Sequence, residues 1–546
     1  MQASKVIVDQ MTASGGTGWS QSLTLVNKLP VAILFGIILG LTSPGFDQWW
    51  LAWCGLAPLL VLLKLSRDRN EALLCGFCFG FSYHLVALSW YLGLYPLLWI
   101  GLDNWIGLLA AVSLWLFEAA HESLLIAGFS WLVYSLPMRS GFFFHYERPY
   151  FPQLLCTPII WIFFQWLIGS SEPYMGILTD QLAYSQFKQT ALIQAAKLAG
   201  PGCIDFLIVM VNVAIAACLF ELPKSGQRPV HRADRLSPRV GAVLDLAIAV
   251  IVVACAVAWG TFEFQRVENE LTVRSNSGAR NKLLRVPVAI LQNNVTIEQE
   301  HLKTASPLEI AHLYENLGRN LSTAMIVLPE GAITATQTES GHLLQSLKAK
   351  AASEKTQIIV GSIEKLGGNL VNAARIVDPD NKDRGVYVKR RLIPILEFIP
   401  WGDVLDELPQ SIREKIPASK QSFLRTQITQ LLASPWGKIG VSISSEIIYP
   451  RLIAQEVREG AALLVNISNL AYFHNSYLSR QVLAAAVFRA VENQRYVILA
   501  TNTGVSAVID PTGMIQSASY VGKRGTLMDT VQFLNEKTMF TNMWWL

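Results

Sequence analysis

No cysteine occurs after residue 255 in this chain of 546 residues. That excludes disulfide bonds and a thiol nucleophile from the whole second half. All seven cysteines (54, 75, 78, 156, 203, 218 and 255) lie in the first half. Charge is scarce as well: charged residues make up 15% of the chain, against 52% hydrophobic ones. This composition is too apolar for an average soluble protein. No cleavable signal peptide is evident either. Residues 1–28 are polar and rich in Gly, Ser and Thr, and read as an N-terminal tail. The formal net charge of +4 carries little by itself, because in such a chain the positions of the basic residues matter more. Nucleic acid is not an expected partner.

What is present divides in two. Residues 29–261 are dominated by apolar runs, and a membrane-crossing helix needs about 20 mostly apolar residues. The runs predict about seven spans, at 29–43, 47–64, 71–97, 105–136, 153–169, 190–220 and 241–261. Basic residues fall after the second span (Lys64, Arg67, Arg69), the fourth (Arg139, Arg148) and the sixth (Lys224, Arg228, Arg232, Arg235, Arg239). The positive-inside rule then puts the N-terminus in the cytoplasm and everything after the seventh span outside it. Trp49, Trp50, Trp53, Trp99 and Trp105 cluster near span ends, as an aromatic belt would.

Two details stand out in this half. Cys75 and Cys78 have redox spacing, but within an apolar helix they read as small packing residues. Glu118, His121 and Glu122 share one face of the fourth span. They suit a packing cluster, a polar lining for a lipid headgroup or for the underside of the second half, or a metal site.

Residues 262–284 read as a linker, 285–530 as an ordinary globular domain and 531–546 as a C-terminal tail. In the globular part, short buried strands alternate with helical stretches, and polar residues sit at the strand ends. Examples are Val286–Leu291, Met325–Leu328, Gln357–Val360, Ile439–Ile443 and Leu463–Ile467. That alternation predicts a layered α/β fold with its site at those ends. The strand at 439–443 runs into Ser444, Ser445 and Glu446, an arrangement that can hold a nucleophile at a strand tip or simply cap a core strand.

Three strand ends carry a resemblance: Leu328-Pro329-Glu330, Tyr387-x-Lys389-x-x-Leu392-Ile393-Pro394 and the Ser444-Ser445-Glu446 tip. In order and spacing they resemble the Glu, Lys and Cys stretches of the nitrilase (carbon–nitrogen hydrolase) superfamily. With the spans in front, the chain resembles the bacterial apolipoprotein N-acyltransferase family over about residues 30–525. Supporting pieces are Glu397-Phe398-Ile399-Pro400, Asn466-x-Ser468-Asn469, Arg489-x-x-Glu492-x-x-Arg495, Asn502-Thr503-Gly504, Pro158-x-x-Trp161, Gly200-x-Gly202 and Phe206-Leu207-Ile208. The resemblance implies an αββα sandwich on an α-helical membrane bundle, on the periplasmic side of the bacterial inner membrane. It implies transfer of a phospholipid acyl chain, through an acyl-enzyme, to the N-terminal amine of a diacylglyceryl-modified apolipoprotein, with no cofactor and no metal. By position, Glu330 is the expected general base, Lys389 the oxyanion stabiliser and Ser444 the nucleophile position. Glu397 and Glu446 are the expected supporting carboxylates.

The sequence also departs from the family pattern. Ser444 stands where the family has Cys, and Ser445 replaces an aromatic residue. Ile395-Leu396 precede Glu397 where the family reads Phe-Gly. Leu470, Tyr472 and His474 occupy a loop that usually reads Asn-Asp-Ala-Trp-Phe-Gly, and Val482 stands where a His is usual. The family's last span is not found before Trp544-Trp545-Leu546. These changes leave three readings: an acyltransferase, weakened or inactive for want of the thiol; a catalytically silent relative that binds lipid or lipoprotein; and an ordinary amidase of the same superfamily, against which the seven spans argue.

Overall fold

The computed structural model describes residues 24–140, 151–170, 179–221, 238–277, 285–301, 305–334, 340–366, 369–394, 396–398, 410 and 423–543. Arg148, Lys224, Arg228, Arg232, Arg235, Ile395, Ile399, Pro400 and Trp544-Trp545-Leu546 lie outside the described residues, as does most of the N-terminal tail.

The first half is helical, and each apolar run contains a helix: α1 (Leu25–Gly40), α2 (Ala57–Leu65), α3 (Arg69–Ala87), α4 (Asn104–Ser135), α5 (Gln153–Ser170), α6 (Pro201–Glu221) and α7 (Pro238–Ser277). Asp68 and Asp103 cap α3 and α4, each accepting a backbone N–H one turn on, from Glu71 at 2.9 Å and Ile106 at 3.0 Å. Among the described residues, three helices, α4, α6 and α7, are long and apolar enough to cross a membrane. Large apolar side chains on them, including Leu109, Phe117, Val250, Ile251 and Phe262, point away from the protein. A helix that is apolar on its outer face needs an apolar solvent there. Gly80 explains the close fit of α3 on α4: a Cβ there would lie 3.0 Å from the Ile126 Cβ and 3.2 Å from the Ser123 Cα. Cys75 and Cys78 are free thiols within α3.

The helix bounds differ from the runs in three places. Helix α3 ends at Ala87 and a 3-10 turn, Ser89–Leu94, follows. Helix α6 begins only at Pro201, because Gly200 takes a φ of 73° and breaks the preceding short turns. Helix α7 runs through the expected linker as far as Ser277. There Arg266 pairs with Glu263 and Glu270, three and four residues away, and Lys197 reaches Glu263 at 2.9 Å. Ion pairs at helical spacing carry the helix past its apolar segment.

The described residues of the second half form two sheets. The first contains β1 (Val286–Gln292), β2 (Met325–Val327), β3 (Gln357–Leu366), β4 (Asn369–Val377), β5 (Val386–Val388) and, last in the chain, β12 (Gly525–Val531), in the order β12-β1-β2-β3-β4-β5. The second contains β6 (Leu432–Ser434), β7 (Gly437–Ile443), β8 (Ala461–Ser468), β9 (Val497–Thr501), β10 (Ala507–Ile509) and β11 (Ile515–Ala518), in reverse chain order. Alternate residues of each strand point to opposite faces. Val288, Ile290, Val327 and Ile359 therefore meet Val441, Ile443, Val465 and Ile467 between the sheets. The outer face of the first sheet carries Leu291, Ile326 and Ile358, covered by α8 (Pro307–Gly318) and α9 (Ser340–Glu354) through Ala311, Leu343 and Leu347. The outer face of the second sheet is covered by α10 (Pro450–Arg458) and α11 (Leu478–Asn493). The result is an αββα sandwich.

Helix α11 is buried at every position except Arg480. Its core is continuous with that of the helical half, because Val487 and Phe488 join Leu464 and Leu499 on one side and Tyr184 and Ile193 on the other. A helix enclosed around its whole circumference packs on both sides, and its buried charges Arg489 and Glu492 pair with each other at 2.7 Å. Each fully buried aliphatic or aromatic side chain contributes about 1.5–3 kcal/mol relative to exposure, so this layer seats the sandwich firmly on the helical base.

Candidate active site

The strand directions bring the chemistry to one edge. In the first sheet β2 runs parallel to β3, β4 antiparallel to β3, and β5 antiparallel to β4. Strands β2 and β5 therefore point the same way, and Glu330 and Lys389 follow their C-terminal ends. In the second sheet β7 and β8 are parallel and end at Ser444 and Asn469. The sheets approach closely here. A Cβ on Gly361 would lie 2.7 Å from the Glu330 Cα and 2.9 Å from Ile467 of the facing sheet, which only glycine allows.

Glu330, Lys389 and Glu397 form one charged network. The Lys389 side chain is fully buried, and its Nζ donates to Glu397 Oε1 at 2.8 Å and to Glu330 Oε1 at 3.3 Å. Burial would lower the pKa of this ammonium. The Glu330 and Glu397 carboxylates outweigh burial and hold it above the ordinary lysine value. Asn372, buried in β4, donates from one amide nitrogen to Glu330 Oε1 at 2.7 Å and to Glu397 Oε1 at 3.0 Å. Glu330 Oε2 accepts the backbone N–H of Asn469 at 2.8 Å, a bond between the sheets. Glu397 Oε2 accepts the backbone N–H of Ile393 at 2.8 Å, closing the turn after Lys389.

Ser444 opens a 3-10 helix, Ser444–Ile448, directly after β7. Its φ is 57°, left-handed for a residue with a Cβ, a costly conformation typical of functional turns. Several groups hold the turn in place. Asn466 Nδ2 donates to the Ser444 carbonyl at 3.2 Å, and Arg489 Nη1 donates to the Ile447 and Ile448 carbonyls at 3.3 and 3.1 Å. Glu446 accepts four bonds: from the N–H groups of Arg390 (2.6 Å), Arg391 (2.9 Å) and Ile443 (2.7 Å), and from the Tyr387 hydroxyl (2.8 Å). Burial raises the pKa of Glu446, and the Ile443 and Arg391 amides and the Lys389 charge oppose that rise. Through Glu446 the turn bearing Ser444 is fastened to the segment bearing Lys389. No hydrogen bond to the Ser444 hydroxyl is found among the described residues.

Some of the network was not expected from the sequence. Asn372 was missed; its one signal is an amide within the otherwise apolar run Leu370–Ala374. Glu300 also borders the site. Its Oε2 accepts from Asn469 Nδ2 at 3.2 Å, and burial, reinforced by the Glu330 charge, pushes it up to about 7 against the Asn469 bond. The departures at 470–474 make contacts with the helical base. The Tyr472 ring packs edge-on to Trp99 at 5.0 Å and Phe473 to Trp90 at 5.2 Å. His474 bonds the Gly93 carbonyl at 2.7 Å and Glu298 at 3.1 Å. Beside Val482, Gln481 donates to the Ala87 carbonyl at 2.8 Å.

Comparison with known proteins bears on both halves. The family model described as apolipoprotein N-acyltransferase N-terminal domain matches residues 35–214, and the carbon–nitrogen hydrolase model matches residues 288–535. An apolipoprotein N-acyltransferase of Geobacter metallireducens is 27% identical over 527 residues, 94% of this chain and 90% of that protein. The chain belongs to the apolipoprotein N-acyltransferase family. A second relative of that name, from a Nostoc species, is 24% identical and covers 87% of each chain. Among solved structures, a carbon–nitrogen hydrolase of Helicobacter pylori is 17% identical, with a TM-score of 0.35, covering 46% of this chain and 90% of that one. By the two family models, the αββα half of this family member is a carbon–nitrogen hydrolase domain, joined to the family's N-terminal domain.

Proposed function

We propose that this protein is a membrane acyltransferase that moves a phospholipid acyl chain to the N-terminal amine of a diacylglyceryl-modified apolipoprotein. Family membership over most of the chain supports the reaction class. The observation that carries the reading is the buried Glu330–Lys389–Glu397 network beside the turn of Ser444. A fold that only bound lipid would have no use for three buried charges at one strand edge.

The proposed cycle uses Ser444 as the acyl carrier. Its Oγ attacks the phospholipid ester carbonyl while Glu330 takes the hydroxyl proton. Lys389 stabilises the tetrahedral oxyanion. The oxyanion collapses, the lysophospholipid oxygen leaves with the proton from Glu330, and an acyl-serine ester remains. The apolipoprotein amine then attacks that ester. Its proton passes through Glu330 to the departing serine oxygen, and an amide forms. Glu397 and Glu446 hold Lys389 and the turn in register. A serine alkoxide is a poorer leaving group than a thiolate, so the second transfer is slow.

For placement, we take residues 29–261 as a membrane domain of seven spans and 285–530 as the acyl-transfer domain outside the cytoplasm, between tails at 1–28 and 531–546. The outward apolar faces of α4 and α7 and the exposed Trp50 and Trp105 support a membrane setting. A reporter fused after residue 280 should be active only outside the cytoplasm, and one near Arg232 only inside. The reaction is tested with radiolabelled phospholipid and a lipoprotein peptide in detergent. Slow N-acylation that Ser444→Ala abolishes is expected; turnover unchanged by Ser444→Ala would place the acyl carrier elsewhere.

A further inference from the structure

We propose that His84, Glu122 and Asp180 bind a divalent transition-metal ion of the zinc type inside the helical base. His84 lies on α3, Glu122 on α4, and Asp180 in the loop leading to the 3-10 turn Leu182–Gln186. The three side chains are 7%, 2% and 8% exposed. One ligand atom from each lies within 4.8 Å of the other two.

The spacing distinguishes a metal site from a hydrogen-bonded cluster. His84 Nε2 is 3.5 Å from Glu122 Oε2 and 3.3 Å from Asp180 Oδ2. No hydrogen bond joins His84 Nε2 to Asp180 Oδ2, which has no hydrogen-bond partner among the described residues. Zinc binds imidazole nitrogen and carboxylate oxygen at about 2.0–2.2 Å. Around a tetrahedral ion of that size, neighbouring ligand atoms sit about 3.3–3.6 Å apart; the two separations at His84 match this, and the Glu122 and Asp180 oxygens lie within 4.8 Å of each other. Two carboxylates also balance a divalent charge, so the loaded site is neutral, as a buried site requires. One imidazole with two carboxylates suits zinc and its neighbours better than magnesium or calcium, which take oxygen ligands and more of them. Three protein ligands leave the fourth position to water.

The ligands are held in place before any ion arrives. Gly80 fits α3 against Ser123 beside Glu122, and the Tyr83 hydroxyl donates to the Asp180 carbonyl. The ion would pin the 179–186 loop to α3 and α4. Tyr184 in that loop accepts from Arg489 Nη2 at 3.3 Å, and Arg489 holds the turn of Ser444 from behind. The site therefore acts as a structural rivet between the base and the acyl-transfer domain.

The test uses full-length protein in detergent, stripped with a chelator, incubated with zinc chloride and desalted before elemental analysis. We expect one zinc per chain, background levels in Glu122→Gln and Asp180→Asn, and full retention in Glu118→Gln. X-ray absorption at the zinc edge of the unmodified protein should show a nitrogen/oxygen shell at about 2.0–2.1 Å with scattering from an imidazole. Background zinc in the unmodified protein overturns the site, as does undiminished binding in both variants. If the variants do not fold, the absorption spectrum decides: a shell without imidazole overturns the proposal.

Discussion

The two sides of the proposed acyl-transfer site are built differently. On the first sheet's edge, Glu330, Asn372, Lys389 and Glu397 each bond at least one of the others. On the second sheet's edge, Ser444 is held through its backbone and its neighbours, while no bond to its hydroxyl is found among the described residues. The first side specifies charges, which cost so much to bury that they persist only when paired. The second specifies a backbone shape, which presents whatever side chain follows the strand. One atom at the tip can therefore change without disturbing the fold, whereas no charge across from it can.

The largest effect should come from breaking the charged side. Lys389→Ala would leave Glu330 and Glu397 buried without their cation, costing about 3–5 kcal/mol of stability and abolishing acyl transfer. Thermal unfolding and the labelled-lipid assay check this; a stable, active variant would show that the network is dispensable. Next is Glu330→Gln, which keeps the shape and the Asn469 bond but removes the proposed base. Acyl-enzyme formation should fall about 10²–10⁴-fold with the fold intact, read by acyl incorporation and circular dichroism.

The opposite side should respond in the opposite sense. Ser444→Cys should raise acyl-enzyme formation, by roughly tenfold or more, because a thiol with an ordinary pKa of about 8.5 is partly ionised near neutrality and a serine hydroxyl is not. Ser444→Ala should show no acyl-enzyme in the same labelling experiment. A Cys variant no better than the native protein would mean that the charged side is not arranged to serve a nucleophile at this tip.

The smallest effect concerns Glu300, at the margin of the network. Burial raises its folded pKa to about 7 from an ordinary 4.5. The folded state then holds the proton more tightly than the unfolded one. Its contribution to stability is fully present below about pH 4.5 and is lost as pH rises through about 7. Glu300→Gln should flatten that part of the stability–pH profile, a difference of about 1–3 kcal/mol between pH 5 and 8. Parallel profiles for both proteins would dissociate Glu300 from the site.

The strand ends bearing Glu330, Lys389 and Ser444 were legible in the sequence because apolar runs of strand length stop at polar residues. Each apolar run of the first half was likewise legible as a helix. What did not show was any pairing across chain distance. Glu122 shares a helix face with His121, yet in the structure its Oε2 lies 3.5 Å from the imidazole of His84 on the neighbouring helix. Asn372 lies in an apolar strand whose neighbours give no sign that a lysine waits opposite. The loop around His474 shows in the sequence only as a departure from the family pattern, because spacing cannot tell a pocket wall from a contact with another domain. Helix α7 outran its apolar segment because ion pairs at helical spacing do not register in hydropathy.

Helix α11 has a consequence for how the chain comes to be folded. It belongs to two cores at once, that of the sandwich and that of the base. Neither core is closed until it is in place, so local opening of one half exposes the other and the two should melt as one cooperative unit. The order of synthesis follows as well. The base emerges first with its seat for α11 empty. The sandwich emerges later and cannot finish until that helix docks, so the base serves as a folding template as well as an anchor.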